Sequence, residues 1–313
     1  MMKRDLQIDT LKGFLILCVI LGHLIGSLKS QGGAIWNMIY TFHMPLFVLV
    51  SGFFSRRDRT NEFSLIKPLV VFQYYNVIIL SILGHDFSFT YFLVPYWTLW
   101  YLLSLIFWRL MLKYTPKALL DRPYVYLCLA IVASLAIGLV IPYGRILSIQ
   151  RTISFFPFFL LGYYFRTNSV KSKLWSNTIS KCLLIVICLI VIFGCYPSNA
   201  SILLRGADPY SIQDLPAKMF LLLCTLVCVY YLWNLKCEVS YLARIGRTSL
   251  FYYLYHGLII QFLIAPIVGR FNLPTGFLGV ALYFLLILFT IFLMDRIQIF
   301  RWLVNPRISQ KSN

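Results

Sequence analysis

The chain has 313 residues, of which 60% are hydrophobic, 17% aromatic and 12% charged, with a net charge of +18 and a mean hydropathy of +0.80. A soluble domain carries about 25% charged residues, so this composition excludes a globule solvated by water and calls for lipid around most of the surface. The surplus of cations is spread over many short loops and forms no single basic tract, which argues against nucleic acid and serves instead to orient the chain.

Apolar runs bounded by Pro, Gly and charge clusters predict ten helices, near 10–28, 35–54, 66–84, 92–112, 123–141, 152–166, 180–196, 215–234, 248–266 and 276–295. At roughly 20 apolar residues per span they leave short loops and no soluble catalytic domain. The expected fold is an all-α polytopic membrane protein: one transmembrane domain over 1–295, then a cytoplasmic basic interfacial tail over 296–313. Met1-Met2-Lys3-Arg4-Asp5 leads into the first run without a small-residue cleavage site, so that run is read as a retained helix. The sixth run, with Phe155, Phe156, Pro157, Phe158 and Phe159, is expected to be tilted, broken or half-buried. With the N-terminus inside, 22 of the 28 Lys and Arg fall on the cytoplasmic side, and Lys29, Arg145, Arg151, Arg205, Lys218 and Arg270 fall outside. Every cytoplasmic segment then carries at least three cations, which predicts ten spans with both termini cytoplasmic, in a bacterial inner membrane.

Any chemistry must therefore come from the helices and their ends. Of the eight cysteines, Cys224 and Cys228 lie one turn apart, but no His or carboxylate joins them, so no metal site is expected. No carboxylate falls mid-membrane: Asp9 and Asp295 lie at cytoplasmic ends, and Asp86, Asp208 and Asp214 lie outside. This weighs against a proton-coupled transporter or a flippase, the rival reading, and the paired carboxylates of a glycosidase are also missing. Three intramembrane histidines remain, His23, His43 and His256, and such groups default to a functional hypothesis.

On the first helix, Lys12 and His23 fall within about 20° of one face and roughly 17 Å apart along the axis. A polyanionic head could meet Lys12 while a thioester on a long arm points to His23; the plainer alternative is a snorkelling lysine and a histidine bonded to a neighbour's carbonyl. His43 on the second helix is expected at a similar depth to His23. Trp97 and Trp100 read as an interfacial belt or as a sugar-stacking platform, and Arg151 as a helix anchor or an acceptor contact. His256 is expected about eight residues above the cytoplasmic surface, near the donor path or in packing. Gly22 and Gly26 read as a close-packing pair.

Asp9-Thr10-Leu11-Lys12-Gly13 with Lys12-x10-His23, then Phe42-His43-Met44-Pro45-Leu46 and Ser51-Gly52-Phe53, resembles the acyltransferase type 3 family, and within it the fucose 4-O-acetylase-like branch. Trp100-Tyr101-Leu102-Leu103, Phe156 to Tyr163, and Ile245-Gly246-Arg247-Thr248-Ser249-Leu250 leading to Tyr255-His256-Gly257 extend the likeness over nearly the whole chain. The resemblance implies an O-acetyltransferase that takes acetyl-CoA from the cytoplasm and delivers acetyl to a hydroxyl of a cell-envelope or exopolysaccharide sugar, often on a lipid-linked glycan, without a metal. It implies His23 as general base or acetyl carrier, with His43 as a second catalytic candidate. Donor binding falls to Lys12 with Arg56, Arg57, Arg59 and Lys67, acceptor binding to Trp97, Trp100 and Arg151, and Asp9, Ser51 and His256 are further candidates. The family's Arg-x-x-Arg before the proline of the third helix is altered here: Lys67 precedes Pro68, and Ser64 stands three residues earlier.

Overall fold

A computed structural model of the chain describes residues 5–28, 33–57, 63–84, 89–141, 144–167, 196–235 and 237–304. Among these residues there is no strand, and nine helical segments are long and apolar enough to cross a membrane. They are α1 (Leu6–Ser27), α2 (Gly33–Phe54), α3 (Phe63–Ile82), α4 (Trp100–Tyr114, entered through a 3-10 turn at Trp97–Leu99), α5 (Pro123–Val140), α6 (Ile149–Arg166) and α7 (Leu215–Asn234). The short α8 (Ser240–Arg247) precedes α9 (Ser249–Ile259), which runs on through a π turn at Ile260–Ile264; α10 (Phe277–Met294) and the short α11 (Gln298–Val304) follow. The helix expected at 180–196 lies almost wholly outside the described residues.

The exposed faces show why the chain needs lipid. Leu278, Leu282, Leu285 and Phe289 form an exposed i, i+4, i+7, i+11 stripe on α10, and Val125, Leu129 and Val132 do the same on α5. Such unbroken apolar stripes would be a liability in water. The protein is an all-α polytopic integral membrane protein.

The core is built on α1, α2, α4, α6 and α9. Leu15, Ile16, Ile20 and Leu24 of α1, Leu46, Val48 and Leu49 of α2, and Leu102 and Trp108 of α4 are buried, as are Phe159 and Leu160 of α6. With lipid outside, hydrophobicity alone does not hold helices together; small residues and polar bridges do. A Cβ on Gly52 of α2 would overlap the Phe159 carbonyl of α6, and one on Gly162 of α6 would overlap the Leu49 carbonyl of α2. Likewise a Cβ on Gly13 of α1 would overlap the Leu242 carbonyl of α8, and one on Gly246 would overlap the Asp9 carbonyl. Polar bridges add to this: Trp108 Nε1 donates to the Thr152 carbonyl at 2.7 Å, and Ser104 and Thr152 share a hydrogen bond at 2.8 Å.

The sixth segment is neither broken nor half-buried. It is continuous over Ile149–Arg166 despite Pro157, and Phe155, Phe156, Phe158 and Phe159 are all buried.

Candidate active site

His23 sits in the last turn but one of α1, on the face turned toward α9 and the α2 hairpin partner. Its ring stacks on His256 of α9, with centroids 5.4 Å apart and planes at 29°. Trp97 packs against it edge-on at 4.9 Å. The Tyr40 hydroxyl and His23 Nδ1 share a 3.2 Å hydrogen bond, and the Tyr40 ring lies 4.6 Å from His43. The three histidines thus form one cluster bridged by Tyr40.

His43 and His256 are buried and are held alike. Each Nδ1–H donates to the carbonyl one turn earlier on its own helix, Ile39 at 2.7 Å and Tyr252 at 3.0 Å. In the neutral ring this leaves each Nε2 as an acceptor, and neither Nε2 has a hydrogen-bond partner among the described residues. Buried polar atoms are normally paired, so these two acceptors stand out from the rest of the core.

The sequence placed His256 low in the membrane and away from His23. The structure stacks them because α8 intervenes. Thr10 Oγ1 accepts the Val239 N–H at 3.1 Å, Gly13 admits the backbone of α8, and Arg247 Nε lies 3.4 Å from Asp9. Residues 240–247 therefore lie alongside the first turns of α1, and α9 starts from a raised position, lifting His256 to the level of His23.

Of two chambers in this part of the molecule, one opens on His23 and the other lies toward Lys12. The larger, about 480 Å³, is lined by His23, Trp36, Tyr40, Trp97, Ser201 and Arg205, among others. Trp36 stacks on Tyr40 at 3.7 Å, giving one aromatic wall. Trp97 gives the other, from a backbone with φ of 37°, a left-handed conformation that a bulky residue adopts only when its surroundings force it. The smaller, about 200 Å³, is lined by Lys12, Ser51, Tyr101, Arg109, Ser249 and Tyr253, with apolar neighbours. Ser249, Tyr253 and His256 follow the i, i+4, i+7 spacing of one face of α9. That stripe runs from the Lys12 chamber to the His23 cluster, with Tyr253 donating to the Thr98 carbonyl beside Trp97.

The remaining residues singled out by sequence divide as follows. Lys12 pairs with Asp9 at 2.8 Å, and Asp9 also faces Arg247. Ser51 donates to the Phe47 carbonyl and shares a 2.5 Å hydrogen bond with Tyr101. Arg57 donates to the Thr115 carbonyl at 2.9 Å, and Arg56 is exposed at the end of α2. Lys67 lies 4.3 Å over the Trp302 ring and so docks α11; Arg59 lies outside the described residues. Trp100 is buried, stacked on Phe155 and covered by the Arg151 guanidinium at 4.9 Å. Arg109, Tyr40, Trp36 and Arg205 escaped the sequence reading. Arg109 had a signal, a cation inside an apolar run, and Tyr40 another, its i, i+3 spacing from His43.

Compared with known proteins, residues 5–68 and 60–296 match the family described as Acyltransferase domain. A Nodulation protein NolL of Mesorhizobium japonicum is 49% identical over 59 residues, 17% of this chain and 16% of that protein. A Nodulation protein NolL of Sinorhizobium fredii is 26% identical over 309 residues, 83% of this chain and 79% of that protein. No solved structure matches.

Proposed function

The chain belongs to this family of acyltransferases, and from that premise we propose that it is a membrane-bound O-acetyltransferase of the bacterial inner membrane, of the fucose 4-O-acetylase-like kind. It moves an acetyl group from acetyl-CoA to a hydroxyl of a cell-envelope or exopolysaccharide sugar. One observation carries the reading: His23 lines the large chamber while its ring stacks on His256, whose helix face leads on to a basic chamber at Lys12 and Arg109.

In this reading the charge distribution puts the Lys12 end in the cytoplasm and the His23 chamber toward the outside. The nucleotide phosphates sit with Lys12 and Arg109, with Arg56 and Arg57 as further donor contacts; the Arg59 assignment rests on the sequence alone. The pantetheine arm follows Ser249, Tyr253 and His256. The unpaired Nε2 atoms of His256 and His43 accept hydrogen bonds from amide or hydroxyl groups that arrive with the substrates. The acceptor sugar lies in the large chamber against Trp97.

His23 is the base. With its Nδ1–H donating to the Tyr40 oxygen, Nε2 holds the lone pair. The acceptor proton passes to Nε2 as the acceptor oxygen bonds to the acetyl carbonyl carbon. The carbon–sulfur bond breaks, the thiolate of coenzyme A leaves and takes up the proton from the imidazolium, and the histidine returns neutral. Such proton transfer contributes about 10²–10⁴ in rate.

The test uses the purified protein in lipid, supplied with acetyl-CoA and a bacterial polysaccharide hydrolysate. Acetyl ester on the carbohydrate, formed with release of free coenzyme A, supports the reading. Binding of the glycan with neither ester nor thiol formed rejects it. A reporter active only outside the cytoplasm, if it functions when fused at residue 313, rejects the orientation.

A further inference from the structure

Three arginines gather at the mouth of the His23 chamber. Arg205 lines it, at the end of the short helix Ala200–Arg205, with its Nε donating to the Ser201 carbonyl at 3.0 Å. Arg151 comes in from α6: its Nε donates to the Arg205 carbonyl at 3.4 Å, and its guanidinium lies over Trp100. Arg145 completes the group. Among the described residues Arg145 and Arg205 share one carboxylate, Asp208, at 2.6 Å and 3.6 Å. Lys218 of α7 brings a fourth cation against the short helix, donating to the Leu203 carbonyl at 2.7 Å.

This concentration is unexpected on charge alone. The sequence leaves six cations on this side; Arg145 and Arg205 meet at Asp208, and Arg151 and Lys218 reach carbonyls of the same short helix. Cations held close together repel one another; Arg151, Arg205 and Lys218 each give one donor to a carbonyl of the short helix, and Arg205 in addition lines the chamber. A guanidinium presents a planar fork of donors matched to a carboxylate or a phosphate, and these stand beside a cavity with aromatic faces on both sides. A volume of about 480 Å³ falls within the usual range of small-molecule sites, roughly 300–1,000 Å³.

We propose that Arg205, backed by Arg151 and poised by Asp208, forms an anion subsite at the mouth of the His23 chamber, and that the sugar bound there is acidic, carrying a carboxylate or a phosphate. That this sugar is the acetyl acceptor rests on the acyltransferase reading; the anion subsite does not. The sugar ring packs between Trp97 and the Trp36–Tyr40 stack, with the acidic group turned to Arg205 and a hydroxyl turned to His23.

The experiment measures binding of galacturonic acid, galactose 1-phosphate and galactose to the full chain in phosphatidylcholine nanodiscs. At low salt at least one charged sugar should bind ten times more tightly than galactose or better, and the margin should shrink as salt is raised. The two charged sugars distinguish a carboxylate from a phosphate ligand. Arg205→Gln should bring the charged sugars down to the level of galactose, whereas Arg205→Lys keeps part of the preference. Asp208→Asn removes the competing carboxylate and should strengthen charged-sugar binding, a gain that a misfolded variant cannot mimic. Equal binding of all three sugars by the wild type, or a preference untouched by Arg205→Gln, overturns the proposal. So does displacement of the sugars by phosphatidylglycerol in the disc, which would assign the site to a lipid headgroup. Acetyl-CoA binding and coenzyme A release, measured on the same samples, report on the acyltransferase reading separately.

Discussion

The two chambers share α1, α2 and the segment entering and forming α4, yet they have opposite characters; the short helix Ala200–Arg205 completes the larger, and α3 and α9 complete the smaller. The larger is walled by aromatic rings, holds His23, and has its arginines at the rim. The smaller has its cations, Lys12 and Arg109, in the lining itself, among apolar side chains. One suits a flat, hydroxylated ligand read by ring faces; the other suits a polyanion with a thin apolar arm. They communicate along α9, where Tyr253 and His256 stand between them. The contrast can be tested by damaging each side in turn.

The largest effect is expected at the junction. His23→Ala should lower acetyl transfer at least about a hundredfold while leaving coenzyme A binding near wild type, measured as ester formed and as donor Kd on the same preparation. Near-normal turnover would undo the assignment of the reacting end. Next comes the Lys12 chamber: Lys12→Ala combined with Arg109→Ala should weaken the donor about tenfold, an effect of partly buried charges that added salt should reproduce in part in the wild type. Acceptor KM should not move; if it does, the chambers are not separate. His256→Ala should be milder than His23→Ala, lowering kcat about tenfold or less, since it loses a ring contact and an acceptor but keeps the base. The smallest effect sharpens the comparison most. Trp97→Gly should raise acceptor KM severalfold and spare donor Kd, while thermal stability holds or rises, because glycine relieves a left-handed backbone that costs about 1–3 kcal/mol. A fall in stability with unchanged KM would make Trp97 a packing residue.

Span existence was legible because it depends on composition alone: nine of the expected segments recur within a few residues of their predicted ends. Candidate polar residues were legible for the same reason, since an ionisable group in an apolar run stands out. What one-dimensional spacing could not supply was depth and partner choice. His256 was misplaced because α8 consumes length without crossing, and only its docking through Thr10, Gly13 and Gly246 reveals this. The contact of Lys67 with Trp302 of α11 was likewise not legible in the spacing. Arg205 belonged to a loop in the sequence and lines the large chamber in the fold, brought there by a short helix too brief to predict from periodicity.

The glycine contacts between α1 and α8 and between α2 and α6 bear on how substrates get in. Backbones pressed together through missing side chains can neither slide nor rotate without collision, so these pairs move as rigid bodies. The membrane-spanning windows of α1, α2 and α6 are 61%, 56% and 61% buried, against 28%, 22% and 22% for α3, α5 and α10. Breathing of the molecule therefore falls on the loosely held outer helices, with the histidine cluster carried on a frame that keeps its spacing. Ligand entry becomes a matter for lipid: α3 and α10 give way against acyl chains, not against the core, so bilayer thickness and tail order should set the rate of substrate exchange while leaving the geometry of the reacting groups alone.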